Sequence, residues 1–382
     1  MPGPDLIDID QIGAWHLSDR SQRGAAGIGP ETIVRAWLET PILRLARPIV
    51  IGDPTILRRA LSLFGVEEAI ELQLVDDPGE SDPTRERIPC WSQGRPELRE
   101  VKPGAIDGRA GKASHDFLVQ AIDWALDGRI DAIATLPIHK ESLRLGGVSE
   151  PGHTEILARC CGVSDIDHAM MLFLPADGLS RLPALAPPDY TGLGVIHVTL
   201  HVALRDIFEL ITEESVAAKI RLADRTLRPF LDSGRAPRLA LAGLNPHAGE
   251  NGLFGSEESD ILEPAVARMA ASGIRIAGPI SADTLFARAV EGEFDGVIAM
   301  YHDQGHVALK TLGFDRAVNI TLGLPIVRTS VAHGTAFDIA WTGRARPDSL
   351  IAAIRCAARL ARARAQVREN EASRAAGPLP NV

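Results

Sequence analysis

Three apolar runs in this chain end at or near a histidine: Val195-Ile-His-Val-Thr-Leu-His201, Leu239-Ala-Leu-Ala-Gly-Leu-Asn-Pro-His247 and Gly296-Val-Ile-Ala-Met-Tyr-His302. In an α/β protein, ligands gather outside the carboxyl ends of the strands. A single histidine at a strand end is ordinarily a hydrogen-bonded residue and no more. Three imidazoles delivered to such places suit a catalytic divalent metal, which takes three protein ligands and keeps a position open for substrate. The separations between His201, His247 and His302 are too long for a local finger, so the fold must assemble any such site. His197 precedes His201 by four residues and reads as a supporting or core residue.

A second constellation, Lys310, Arg316, Asn319, Arg328, Thr329 and Ser330, follows Tyr301-His-Asp-Gln-Gly305. Guanidinium forks and ammonium groups match phosphate or carboxylate. Alone these would be surface charges; their closeness to the 301–305 segment favours an anion site. A third segment is Pro151-Gly-His-Thr-Glu155. A histidine beside a hydroxyl can hold an anion or work in acid–base chemistry near neutral pH; the plainer alternative is a helix start capped by Thr154. The Gly24-Ala-Ala-Gly-Ile-Gly29 stretch has the wrong spacing for a dinucleotide fingerprint, and neither a phosphate-binding GxxxxGK[ST] loop nor a GxSxG elbow occurs.

The elements that must position these residues are strands predicted at 47–52, 67–76, 130–136, 169–174, 193–200, 238–242, 274–277, 296–301 and 318–322. They alternate with helical segments, including 206–231, 258–271 and a terminal helix from Pro347 to Ala375. That alternation predicts an α/β fold with a largely parallel sheet. Residues 11–23 do not read as an apolar strand, and 77–105 and 175–191 read as loops. At 382 residues with 45% apolar content, the chain exceeds one ordinary core. Net charge of −10 and 4% aromatics argue against nucleic acid. Four cysteines without a CxxC pair (Cys90, Cys160, Cys161, Cys356) read as reduced thiols. No run reaches membrane-spanning length, and Met1 to Leu17 lacks a basic region, so no membrane or export signal is expected and a cytoplasmic location is.

Six ordered motifs carry a resemblance: Pro-Gly-His-Thr-Glu (151–155), Gly-Leu-Asn-Pro-His-Ala-Gly-Glu (243–250), Ala-Asp-Thr-Leu-Phe (282–286), Tyr-His-Asp-Gln-Gly (301–305), Asn-Ile-Thr-Leu-Gly-Leu-Pro (319–325) and Arg-Thr-Ser-Val-Ala-His-Gly-Thr-Ala (328–336). From about Gly27 to about Ser349 the chain resembles the PdxA family of vitamin B6 biosynthesis. The resemblance implies a two-domain fold like that of isocitrate and isopropylmalate dehydrogenases, α/β/α with an inter-domain cleft. One domain would be 1–150 plus 305–382 and the other 151–304, the second carrying the metal ligands and the dimer interface. It implies NAD or NADP, with no cofactor-binding residues assigned. It also implies a divalent metal (zinc, cobalt or magnesium) on His201, His247 and His302, one ligand crossing the interface of a homodimer with a shared active site. Substrate would be held by His153, Thr154, Lys310, Asn319 and Arg328, with Asp283, Asp303 and His153 as catalytic candidates. The implied reaction oxidises 4-phosphohydroxy-L-threonine to a β-keto acid that decarboxylates to 3-amino-2-oxopropyl phosphate. Relatives within the resemblance oxidise threonate or erythronate 4-phosphate, or a dihydrodiol dicarboxylate; Lys310, Asn319 and Arg328 favour a phosphorylated substrate over the dihydrodiol. A metal-binding paralogue without dehydrogenase activity is a further alternative. The chain departs from the family pattern at Gly24 and Ala25, where an acidic residue and proline are usual, and at Ala332, where aspartate is usual; the loop 175–191 is longer than expected.

Overall fold

Apolar and β-branched runs become the strands, in chain order β1 (Trp15–His16), β2 (Val50–Ile51), β3 (Glu71–Leu74), β4 (Arg87–Trp91), β5 (Ala132–Thr135), β6 (Ala169–Pro175), β7 (Gly192–His197), β8 (Leu239–Ala242), β9 (Ile276–Ile280), β10 (Gly296–Ala299), β11 (Val318–Leu322) and β12 (Val327–Val331). The computed structural model describes residues 15–16, 27–39, 42–92, 94–102, 106–178, 190–231, 234–313, 316–334 and 339–375. Gly24, Ala25, Thr335, Ala336 and most of the long 175–191 loop lie outside them.

All twelve described strands form one sheet in the order β3-β4-β2-β1-β5-β12-β11-β6-β7-β10-β8-β9. It is parallel in two halves: β3, β4, β2, β1, β5 and β12 in one, β7, β10, β8 and β9 in the other. Between them β11 runs antiparallel to both β12 and β6, and β6 antiparallel to β7. The predicted α/β class with a largely parallel sheet is the observed one, with an antiparallel seam at its centre. Helices cover both faces. Gly29–Glu39, Pro54–Leu63 and Asp348–Ala375 pack on one side of the first half, and Gly108–Leu126 and His153–Cys161 on the other. Glu213–Leu227 and Glu263–Ala271 cover one side of the second half, and Ala282–Val290 and His302–Gly313 the other.

Local chemistry sets the helix starts. Asp53 accepts from the amides of Thr55 and Ile56 ahead of Pro54. Thr212 and Ser215 form a reciprocal capping box, which breaks the single helix expected over 206–231 into Ile207–Leu210 and Glu213–Leu227. Three strands were not expected. β1 is a two-residue strand between β2 and β5, within residues that show no apolar run. β4 carries Pro89 amid charged neighbours, yet Ile88, Cys90 and Trp91 are buried. β12 reads as polar because alternate residues serve different faces: Thr329 donates to the Ala353 carbonyl of the terminal helix, while Arg328 and Ser330 face the opposite side. The four cysteines are unpaired. Among the described residues no helix is long and apolar enough to cross a membrane.

Asp295 fastens the amino ends of β8 and β10. Its carboxylate, 2% exposed, accepts from Arg235, from the Arg238 guanidinium and from the Arg238 amide. Burial raises its pKa, but the hydrogen bonds from Arg235 and Arg238 outweigh that and hold it at about 2. The folded value lies below the unfolded one, so this stabilisation is present above about pH 4 and is lost as pH falls through about 2. Asp295→Asn is expected to lower the urea-unfolding free energy by about 2 kcal/mol at pH 7, and its deficit against wild type to shrink towards pH 2. A deficit independent of pH would contradict the linkage.

Candidate active site

The sheet seam positions the site through strand register. Opposite Arg328 of β12 stands Thr321 of β11, and opposite Thr321 stands Met170 of β6. The next row is Ser330, Asn319 and Leu172. Because side chains alternate along a strand, both rows face one side. There Met170, Leu172, Asn319, Arg328 and Ser330 floor a cavity of about 200 Å³. Its walls come from the loop after β5, the start of His153–Cys161, and His302, His306 and Lys310 on His302–Gly313, with His201 at its edge.

Arg328 is the most unusual group here. It is 2% exposed, and its guanidinium donates to two hydroxyls, Thr321 Oγ1 at 3.0 Å and Thr135 Oγ1 at 2.6 Å. Its Nε has no partner, and burial alone drives its pKa down to about 9, with no carboxylate among the described residues offsetting it. Asn319 Oδ1 is also buried without a partner. Buried polar groups are ordinarily satisfied, and exceptions mark strain or a missing ligand. Helix His153–Cys161 turns its amino end to the same cavity, with Gly152 at the cap position and no side-chain cap bond. Thr154 lies inside the helix rather than capping it, and it lines the cavity beside the uncapped amino end. Lys140 and Lys310 also line the cavity. Its one carboxylate among the described lining residues is Glu155, which is exposed. Ala332 lines the cavity itself, so the departure from aspartate removes a negative group from this wall.

His201 stands four residues beyond the end of β7, and His302 is the first residue of its helix. Their ring centroids are 5.7 Å apart. His302 Nδ1 is 2.6 Å from Asp303 Oδ1, the carboxylate–imidazole pairing typical behind a metal ligand, which leaves Nε2 outward. Asp303 itself is exposed and lines a shallow neighbouring groove with His201, not the cavity. His306 stacks on His302 with centroids 3.8 Å apart, and its Nδ1 meets His197 Nε2 at 3.1 Å. Burial first, then the charge of His302, brings the His306 pKa down to about 4; burial takes His197 well below its ordinary value.

His247 is not brought to this cluster within one chain. It projects from a turn in which residues 247–251 all have positive φ, among them His247 at 52° and Glu250 at 43°. Four of the five are not glycine, and such a run is costly for L-residues. Glu258 holds the turn by accepting from the Leu244 and Asn245 amides and from the Asn245 side chain. His247 Nδ1 contacts Glu250 at 3.0 Å. Asp283 is near it: the Ser281 hydroxyl, chiefly, lowers the Asp283 pKa, and His247 adds to the effect. Among the described residues no three His, Cys, Asp or Glu side chains are placed to hold a metal ion. One chain therefore sets His201 and His302 side by side, with His247 elsewhere. The residues that sequence reading missed are Thr135, Lys140 and His306. His306 shares a face with His302 at a four-residue interval, a signal visible only once the segment is known to be helical.

Residues 44–357 match the family model described as pyridoxal phosphate biosynthetic protein PdxA. The chain is 41% identical over 336 residues to proteins named D-threonate 4-phosphate dehydrogenase from Pectobacterium atrosepticum and Salmonella typhimurium, covering 88% of this chain and 96% of each relative. A crystal structure titled 4-hydroxythreonine-4-phosphate dehydrogenase from Klebsiella pneumoniae superposes with a TM-score of 0.75 at 40% identity, over 92% of this chain and 99% of that one. A terephthalate 1,2-cis-dihydrodiol dehydrogenase from Burkholderia xenovorans is more distant, with a TM-score of 0.60 and 27% identity over 91% of this chain and 97% of that one. With the match spanning most of the chain, and the cavity built from the motif residues, the chain belongs to the PdxA family of dehydrogenases.

Proposed function

We propose that this protein oxidises a phosphorylated hydroxy acid of the D-threonate 4-phosphate type, rather than the amino acid 4-phosphohydroxy-L-threonine. The observation that carries the reading is the charge of the cavity. Arg328, Lys140, Lys310 and a helix amino end face it, and the one described carboxylate is the exposed Glu155. Phosphate and carboxylate groups gain partners there. An ammonium group would enter among like charges, and Ala332 removes the acid that the family pattern would set against it. The dehydrogenases named for D-threonate 4-phosphate support the same choice.

The proposed net reaction takes hydride from C3 and a proton from its hydroxyl. The resulting 3-oxo acid then loses CO2 by cleavage of the C1–C2 bond, C2 takes up a proton, and a phosphorylated three-carbon ketone remains. Hydride acceptance is the chemistry that NAD or NADP supplies; the described residues contain no dinucleotide phosphate loop, and no position for it is assigned. Within the chain, Arg328, Lys310, Asn319, His153 and Thr154 hold the two anionic ends. Binding energy gained there, remote from C3, orients the reacting carbon.

A divalent cation would supply polarisation of the alcohol oxygen. His201 and His302 are the residues of one chain that suit it, and His247 would come from a second copy in a homodimer. Exposed apolar side chains support that assembly: Val202, Leu204, Phe208 and Leu210 follow His201, and Leu253 and Phe254 follow His247. Such patches mark surfaces that another chain covers.

The test is formation of NADH or NADPH by the protein with D-threonate 4-phosphate and with unphosphorylated D-threonate, each with zinc, cobalt or magnesium. Turnover with the phosphorylated acid and at least a hundredfold lower kcat/KM without the phosphate is expected, on the order of 3 kcal/mol of remote binding. No reduced cofactor under any of these conditions would sink the reading.

A further inference from the structure

His197 and His306 have no part in the anion site or in the proposed metal set, yet they are built into the cavity wall. His306 is 7% exposed and lines the cavity; His197 lies against it at 1%. Gly305 makes the approach possible, because a Cβ there would stand 2.5 Å from His197 Nε2 and 2.6 Å from Val195 Cγ1. Gln304 fixes the helix start, accepting from the Met300 amide and donating to the Gly243 carbonyl.

The contacts decide the tautomers. His306 Nδ1 lies 3.2 Å from the carbonyl oxygen of His302, an atom that can only accept, so Nδ1 carries the hydrogen. The same nitrogen lies 3.1 Å from His197 Nε2, which is then the lone-pair nitrogen of its ring. The hydrogen of His197 then falls on Nδ1, a buried atom, and the Met170 backbone favours a hydrogen on this ring. The opposite assignment would set the His306 Nδ1 lone pair against the carbonyl lone pairs of His302. With Nδ1 committed to the protein, the other edge of the His306 ring is an acceptor. Lys310, Arg328 and the helix amides offer donors only, which suits phosphate and carboxylate; a hydroxyl hydrogen needs one of the cavity's acceptors, among them Asn319 Oδ1, Glu155 and this edge of the His306 ring.

We propose that the His197–His306 pair presents a fixed hydrogen-bond acceptor, His306 Nε2, to a hydroxyl of the bound acid, so that His306 is a specificity residue and His197 its positioning residue. The proposal rests on the hydroxy-acid reading above. It names the group that distinguishes a hydroxy acid from its deoxy counterpart.

The test is calorimetric binding, without nicotinamide, of D-threonate 4-phosphate and its 2-deoxy and 3-deoxy analogues. The proteins are wild type, His306→Leu, His197→Leu and His197→Gln, each checked by thermal melting. Wild type is expected to bind one deoxy analogue about tenfold more weakly than the parent acid, the worth of one hydrogen bond. His306→Leu and His197→Leu should bring that ratio to within about twofold. His197→Gln should keep it, since its amide oxygen can accept at the Nε2 position; a merely structural role would not show this rescue. A wild type that binds all three acids equally, or a His306→Leu protein that keeps the tenfold preference, would overturn the assignment while leaving the hydroxy-acid reading intact. Failure of wild type to bind any of the three would overturn both, and the separate turnover assay with D-threonate 4-phosphate reports on the hydroxy-acid reading alone.

Discussion

Arg328→Met is expected to stabilise the ligand-free protein and at the same time to lower kcat/KM by roughly a thousandfold, the scale of removing one partner from a buried charge interaction. The two effects share one cause. Arg328 is buried with hydroxyl partners, an unsatisfied Nε and no carboxylate among the described residues to offset its charge. A pKa brought from 12.5 to about 9 corresponds to free energy on the order of 5 kcal/mol held against the charged form. Replacing such a group with an apolar side chain of similar length commonly stabilises, here by about 2 kcal/mol once the lost hydroxyl contacts are deducted. The anion that would satisfy the guanidinium is present only when substrate is bound, so the cost is borne by the free protein and recovered on binding. Urea unfolding and steady-state kinetics on the same preparation measure both quantities. A destabilised variant that kept activity within tenfold of wild type would mean that Arg328 is a structural residue.

The second large effect concerns the separated histidines. His302→Ala and His247→Ala are each expected to reduce turnover by at least a thousandfold while the fold persists, because each removes one imidazole of a proposed shared set. If His247 completes the set of a partner, co-unfolding and refolding the two inactive variants at equal concentration should restore about a quarter of wild-type activity, since half the dimers are mixed and each has one intact site of two. A single-chain site gives no recovery. The strained turn of residues 247–251 is the physical reason to expect the result: left-handed backbone at four non-glycine residues persists only where the surroundings enforce it.

Much of this was readable in the sequence because strand-forming runs and site motifs are local. The 318–322 strand, the 169–174 and 239–242 strands and the terminal helix fall where periodicity puts them. β12 escaped because its residues serve two masters: Arg328 and Ser330 face the ligand cavity, and a polar alternation there looks like a loop. β1 escaped because two residues between two parallel neighbours need no apolar run of their own. Lys310, Asn319 and Arg328, the residues expected to bind the anion, do converge on one cavity. Asp283 and His247 lie near each other but away from that cavity, and Asp303 supports His302 rather than facing it. Spacing cannot show this, because which of two ring nitrogens is committed, and which side chain backs another, are set by tertiary contacts such as the one between His197 and His306.

The choice of substrate is most directly tested by kcat/KM for D-threonate 4-phosphate and 4-phosphohydroxy-L-threonine, measured side by side with saturating NAD or NADP and the best metal. A preference for the hydroxy acid of at least tenfold, about 1.4 kcal/mol, is expected from a cavity that offers an ammonium group cations and one exposed carboxylate. Equal rates, or a preference for the amino acid, would contradict it.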